Sequence, residues 1–263
     1  MSVKADAFSF LSWSGYAFVI LVVVFGGAVL GMLAARLLPE QHLSSETRTV
    51  VSASMAIVGT LSALVLGLLI STASTSFATR DKEVTNISAN LIRIHFLLER
   101  YGPETQESRA ILGRYTAAML RDLFPDNSDR PADLQNEATA AMLWELESRI
   151  LALTPSNDAQ RWLQSRELEL ASAVGDTRWL LAQQSAATIP FPILVLLVFW
   201  LAIVFASFGL FAPRNLTVGA ALFLCAIAVS CAVQVIFELD TPFQGIIRIS
   251  SAPTRHALEM ISR

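Results

Sequence analysis

The chain has 263 residues, of which 54% are hydrophobic and 16% charged, with a formal net charge of −3. That composition is too apolar for an ordinary soluble domain, and the balanced charge excludes the basic footprint of a nucleic-acid binder. The two cysteines, Cys225 and Cys231, stand six residues apart in one apolar run. On a helix they point to different faces and read as small packing residues, not as a disulfide.

Four segments carry no charged side chain: Ala7–Ala35, Thr49–Thr79, Trp179–Pro213 and Asn215–Phe237. Each is long enough for the roughly 20 residues that cross a bilayer as a helix. None alternates as the strands of a membrane barrel do. The predicted fold is therefore all-α: a polytopic membrane protein with four transmembrane helices and a cytoplasmic helical bundle inserted between the second and third.

In chain order, residues 1–14 form an N-terminal cytoplasmic segment and 15–37 the first transmembrane helix, with Trp13 and Tyr16 as interfacial anchors. Its apolar run is too long for a signal peptide, and no small-x-small cleavage site follows. The second membrane helix covers 49–79 and continues into water as a charged, amphipathic helix. No Gly or Pro lies between Gly67 and Gly102, so nothing local stops it before Tyr101. At about 1.5 Å per residue, that rod is roughly 75 Å long.

Residues 80–187 are read as the cytoplasmic helical domain, continuous with the second helix. Ile87, Leu91, Ile94 and Leu98 repeat at helical spacing, and Gly102-Pro103 ends the rod. A helix over Pro103–Phe124 carries Leu112, Tyr115, Met119 and Leu123 on one face. Another starts at Pro131, carries Leu143, Leu146, Ile150 and Leu153, and ends before Pro155. A last one runs from near Ser156 towards Ala187 with Leu163, Leu170, Val174 and Leu181. The remaining membrane helices cover 189–212 and 216–238, and 239–263 is a cytoplasmic tail.

Four spans put both termini and the middle region on one side. Lys4, Arg80, Lys82, Arg93, Arg178, Arg248 and Arg255 lie there near the membrane, against Arg36, Arg48 and Arg214 opposite. The positive-inside rule makes the first side cytoplasmic.

Chemistry-bearing residues are sparse. His42, His95 and His256 are isolated, no phosphate loop or nucleophile elbow occurs, and the carboxylates of 80–184 alternate with arginines along helix faces. No catalytic residue, metal ligand or cofactor site is predicted, and the chain is not read as an enzyme.

The membrane helices carry more pattern. Ser52, Ala56, Gly59, Ala63, Gly67, Ser71 and Ser74 form a small-residue seam on the second, with a companion stripe of Gly27, Gly31 and Ala35 on the first. Small residues let helix backbones approach closely in lipid, either within one subunit or between subunits. About a quarter-turn from the seam, Thr60, Leu64 and Leu68 form an i, i+4, i+8 row. Around an axis shared by several copies, such a row makes a hydrophobic pore constriction; in a single copy it is lipid-facing or core. At the end of the fourth span stands Glu238-Leu239-Asp240-Thr241-Pro242-Phe243-Gln244-Gly245. Glu238, Asp240, Pro242, Phe243 and Gly245 read as a membrane-base turn, either a solvated helix end or a cation-binding or gating element. A calcium ion takes six to eight oxygens, more than these residues readily supply.

Val58–Phe77 (VGTLSALVLGLLISTASTSF) and the C-terminal ELDTPFQGIIRISSAPTRHAL resemble the bacterial bestrophin-like domain family. More distantly the chain is similar to bestrophins, which are pentameric ion channels. The resemblance matches Leu66-Gly67 to a leucine-glycine pair of the bestrophin pore helix, and Glu238, Pro242, Phe243 and Gly245 to the exit from the last membrane helix. Aligned on the pair, the bestrophin neck falls on Thr60, Leu64 and Leu68. Bestrophins carry larger neck side chains, and an acidic calcium-clasping run stands where this chain has Ile246, Ile247 and Arg248. Calcium activation is therefore not carried over.

The resemblance implies a homo-oligomer, a pentamer, in the lipid bilayer of the bacterial inner membrane, passing small inorganic ions. Glu238 and Asp240 would brace its membrane base against Arg80 or Arg248. The alternative is a non-conducting membrane scaffold or sensor whose helical domain recruits a partner.

Overall fold

A computed structural model describes residues 3–39, 44–125, 132–185, 191–213, 215–243 and 245–263, with only the backbone path described at 3–14, 185 and 191. Every regular element among the described residues is helical: α1 (Val3–Leu37), α2 (Ser45–Tyr101), a 3-10 turn (Pro103–Thr105), α3 (Gln106–Leu123), α4 (Glu137–Leu151), α5 (Asp158–Ser185), α6 (Phe191–Phe211), α7 (Leu216–Asp240) and α8 (Ala252–Ile261). Four of them, in α1, α2, α6 and α7, are long and apolar enough to cross a membrane. The readings placed on Lys4, Trp13, His42, Pro131, Ala187, Arg214 and Gln244 lie outside the described side chains.

The chain divides into two compact units. One comprises Met1–Ser76 with Thr188–Asp240, the other Phe77–Ala187 with Thr241–Arg263. Helix α2 is continuous through the boundary, as the absence of Gly and Pro between Gly67 and Gly102 permits.

In the first unit, α1 and α6 meet backbone to backbone. A Cβ at Gly31 would strike the Ala206 carbonyl, and one at Gly209 would strike the Ala28 carbonyl. Glycine at these positions lets the two helices approach, which in lipid replaces the missing hydrophobic drive. Ile20, Val24, Leu197, Leu201, Val233 and Ile236 fill the space around this contact. Phe25 of α1 meets Phe223 of α7 edge to face at 5.2 Å, and Tyr16 stacks on Phe237 at the same separation.

The second unit has its own core. Val84, Ile87, Leu91, Ile94 and Leu98 of α2 are buried with Ile111, Leu112 and Tyr115 of α3, Leu146 and Ile150 of α4, and Val174 and Leu181 of α5. The α2 rod stops where expected. Gly102 takes φ 139°, a conformation that strains any side chain, and Thr105 Oγ1 donates to the Leu98 carbonyl at 2.6 Å.

Membrane helices α1, α2 and α7 extend past the bounds read from sequence, α1 beginning at Val3, α2 at Ser45 and α7 ending at Asp240. The helical unit departs from that reading in three places. Pro103–Thr105 is a 3-10 turn, so α3 starts at Gln106. Helix α4 starts at Glu137, six residues after Pro131, because Asn136 Oδ1 caps the Ala138 N–H at 3.0 Å and fixes the start there. The stretch read as a C-terminal tail contains a helix. Its Ala252–Ile261 stretch folds as α8, burying Thr254, Ala257 and Ile261, and Thr254 shares a buried 3.0 Å hydroxyl contact with Ser88 of α2.

Candidate pore helix and membrane-base turn

The first unit leaves most of α2 uncovered. Only 6% of its membrane-length window is buried, against 28%, 33% and 22% for the windows in α1, α6 and α7. The buried stripe consists of Ser62, Leu69 and Ala73, with Val65, Leu66 and Ile70 partly buried beside it. At about 100° per residue, Thr60, Leu64 and Leu68 fall on the far side of the helix from that stripe. All three are exposed, and Leu64 and Leu68 are each 60% open.

The small-residue seam is also uncovered by its own chain. Ser52, Ala56, Ala63, Gly67, Ser71 and Ser74 are exposed and Gly59 is half-buried. A Cβ added at Gly59 or Gly67 would meet nothing within 4 Å. The companion stripe has a different neighbour: Gly27 and Gly31 lie on Ala202 and Ala206 of α6, and Ala35 is half-buried. The two stripes therefore do not face each other.

Hydroxyls on α2 are spent on its own backbone. Thr49, Ser54, Thr60, Ser62 and Thr75 each donate to the carbonyl four residues earlier, at 2.8–3.0 Å. This satisfies them in an apolar environment, and it removes Thr60 Oγ1 as a free donor. The Thr60–Leu64–Leu68 row therefore presents two leucines and a hydroxyl whose proton is already engaged.

At the other end of the membrane unit, Glu238 is buried near the end of α7 and accepts from Gln234 Nε2 at 3.4 Å. Asp240, the last residue of α7, is half-buried. Beyond it Pro242 is buried, and its carbonyl accepts the Ile249 N–H at 2.8 Å, closing a loop. Gly245 within that loop has φ 86°, which explains glycine there. Phe243 meets Phe124 edge to face at 6.1 Å and joins the core of the helical unit. Arg248 is exposed, and Arg80 is buried, donating to the Gln184 carbonyl at 2.7 Å.

Among the described residues, no three His, Cys, Asp or Glu side chains gather as metal ligands would. A cavity of about 10 Å³ lies between α2, α3 and α5, lined by Asp122, Asp133 and Arg178 with apolar neighbours. It is the size of one water and too small for an organic ligand. Beside it, burial pushes the Tyr115 phenol up to about 12.

A family model, the Bestrophin-like domain, matches residues 22–254. The chain belongs to the bestrophin-like family. No curated protein shows significant similarity to this bestrophin-like chain. Among solved structures, it is similar to a bacterial bestrophin homolog from Klebsiella pneumoniae, at 14% identity and a TM-score of 0.69, covering 94% of this chain and 98% of that one. A leucine-to-threonine variant of the Klebsiella protein superposes with a TM-score of 0.70 at 13% identity, over 93% and 97% of the two chains. A tryptophan-to-alanine variant gives 0.69 at 15%, over 96% and 99%. At such low identity the likeness is one of fold.

One residue escaped the sequence reading. Glu167 occupies a core position of α5, between Leu163 and Leu170, and is completely buried. Its signal was a carboxylate standing on an apolar i, i+4, i+7 stripe.

Proposed function

We propose that this bestrophin-like chain is the subunit of an oligomeric ion channel, a pentamer, in the bacterial inner membrane. One α2 from each copy lines the pore, and Thr60, Leu64 and Leu68 form its hydrophobic constriction. The observation that carries this reading is the exposure of that row on the side of α2 opposite its buried stripe. An apolar row left uncovered by its own chain is suited to a narrow axis that water wets reluctantly. The exposed small-residue seam beside it supplies a surface on which a second copy's helix can approach closely. On this reading the helical unit and both termini are cytoplasmic. Glu238, Asp240 and the Pro242–Gly245 loop form the base of the membrane layer.

Purified protein in liposomes should pass small ions. Replacing Leu64 and Leu68 together by alanine should raise the flux, because a wider and less apolar neck is easier to wet. No flux from either protein would sink the channel reading. Native mass determination in detergent supplies the second test: five copies support the pore, and one or two copies favour a membrane scaffold instead.

A further inference from the structure

Helix α5 contains a fully buried carboxyl group in an apolar row. Leu163, Glu167, Leu170 and Val174 share the buried face, and neither carboxyl oxygen of Glu167 has a hydrogen-bond partner. The nearby Tyr101, at the very end of α2, is also buried, and its hydroxyl has no partner either. Burial pushes the Tyr101 phenol upward, and the charges of Glu104 and Glu167 add to that effect. A hydrogen bond from Gln160 Nε2 to the Tyr101 carbonyl, at 3.0 Å, ties the start of α5 to this helix end.

We propose that Glu167 is a proton-operated joint in the helical unit. As a neutral acid it lets α5 seat against the Tyr101 end of α2, and as a carboxylate it loosens that seat. An unpaired buried carboxylate is costly, whereas a protonated one is a small neutral polar group with a far lower desolvation cost.

The surrounding charges do not neutralise it. On α5, Arg166 pairs with Glu169 and Arg161 with Asp158, all at the surface. On α4, Arg149 pairs with Glu107 of α3, while burial and then the Asp176 charge push the Glu147 carboxyl up. On α2, burial lowers the pKa of the His95 imidazole, with the charges of Glu99 and Arg109 acting on it in opposite directions. Burial alone pushes Glu167 from an ordinary 4.5 to about 7. A carboxyl raised in the folded state contributes stability that is fully present below about 4.5. That contribution is lost as pH rises through about 7 and is flat above it.

The experiment uses the full chain in detergent micelles and needs no ion flux, so its outcome is independent of the channel reading. Infrared difference spectra between about pH 5 and about pH 8.5 should show a protonated-carboxyl band that disappears with a midpoint near 7 and is missing from Glu167→Gln. Over the same range, hydrogen exchange corrected for its intrinsic pH dependence should rise severalfold in 158–170 and 98–105 of the native protein, and stay flat in Glu167→Gln. The absence of a titrating band in the native protein would overturn the proposal. So would an exchange rise of equal size in Glu167→Gln.

Discussion

The two halves of α2 obey opposite rules within one uninterrupted helix. Between Val84 and Leu98 one apolar stripe, Val84, Ile87, Leu91, Ile94 and Leu98, is buried in a core shared with α3, α4, α5 and α8, and Val84, Leu91, Ile94 and Leu98 have no accessible surface. From Val50 to Leu68, equally apolar residues such as Val50, Ile57, Leu61 and Leu64 lie open. The first situation is a core that the chain builds for itself. The second is a face that must be completed from outside, by lipid, by another copy or by a dewetted pore. Apolarity alone does not separate them. What separates them is whether partner helices from the same chain reach that face.

The comparison can be broken by substitution. The largest effect on stability is expected from the self-built core. Leu91→Ala should lower unfolding stability in detergent by about 2–5 kcal/mol, measured by chemical denaturation, because transfer and cavity terms add at a fully buried site. Next comes the α1–α6 contact. Gly31→Val should cost about 1–3 kcal/mol by the same measurement, since the new side chain collides with the Ala206 backbone rather than with a side chain able to move. Asn136→Ala removes the α4 cap and should cost about 1 kcal/mol.

The open half of α2 should respond least in stability. Leu64→Ala should stay within about 0.5 kcal/mol, because no cavity opens in the chain's own core. Gly59→Leu should likewise leave secondary structure by circular dichroism unchanged, since a Cβ there meets nothing. If the seam is the subunit contact, the same substitution should reduce the copy number in native mass spectra. An unchanged copy number would free the seam from that role and sharpen the contrast between the two halves.

Much of the architecture could be read in advance from local pattern. The four spans follow from charge-free runs of membrane length, and the length of α2 from the lack of Gly and Pro before Gly102. Harder to read were features whose cause is distant in sequence. Helix α8 is ten residues long and too short to be stable alone; it exists because Thr254, Ala257 and Ile261 dock on a core that other helices supply. Helix α4 starts at Glu137 and not at Pro131 because the Asn136 side chain caps the Ala138 N–H, a contact that proline's preference for a first turn does not reveal. Within the candidate site, the Thr60–Leu64–Leu68 row and the Glu238–Gly245 turn could be named as patterns, but their exposure could not.

By itself, the sequence determined which long segments are helical and which are apolar enough to cross a membrane, because hydrogen bonding and transfer energy act locally along the chain. Only the tertiary structure decided that Gly27 and Gly31 serve α6 while the α2 seam stays open, and that Glu167 lies in a core while Leu64 does not. Burial depends on which helices arrive on each face, and helical spacing specifies a face without specifying its neighbour.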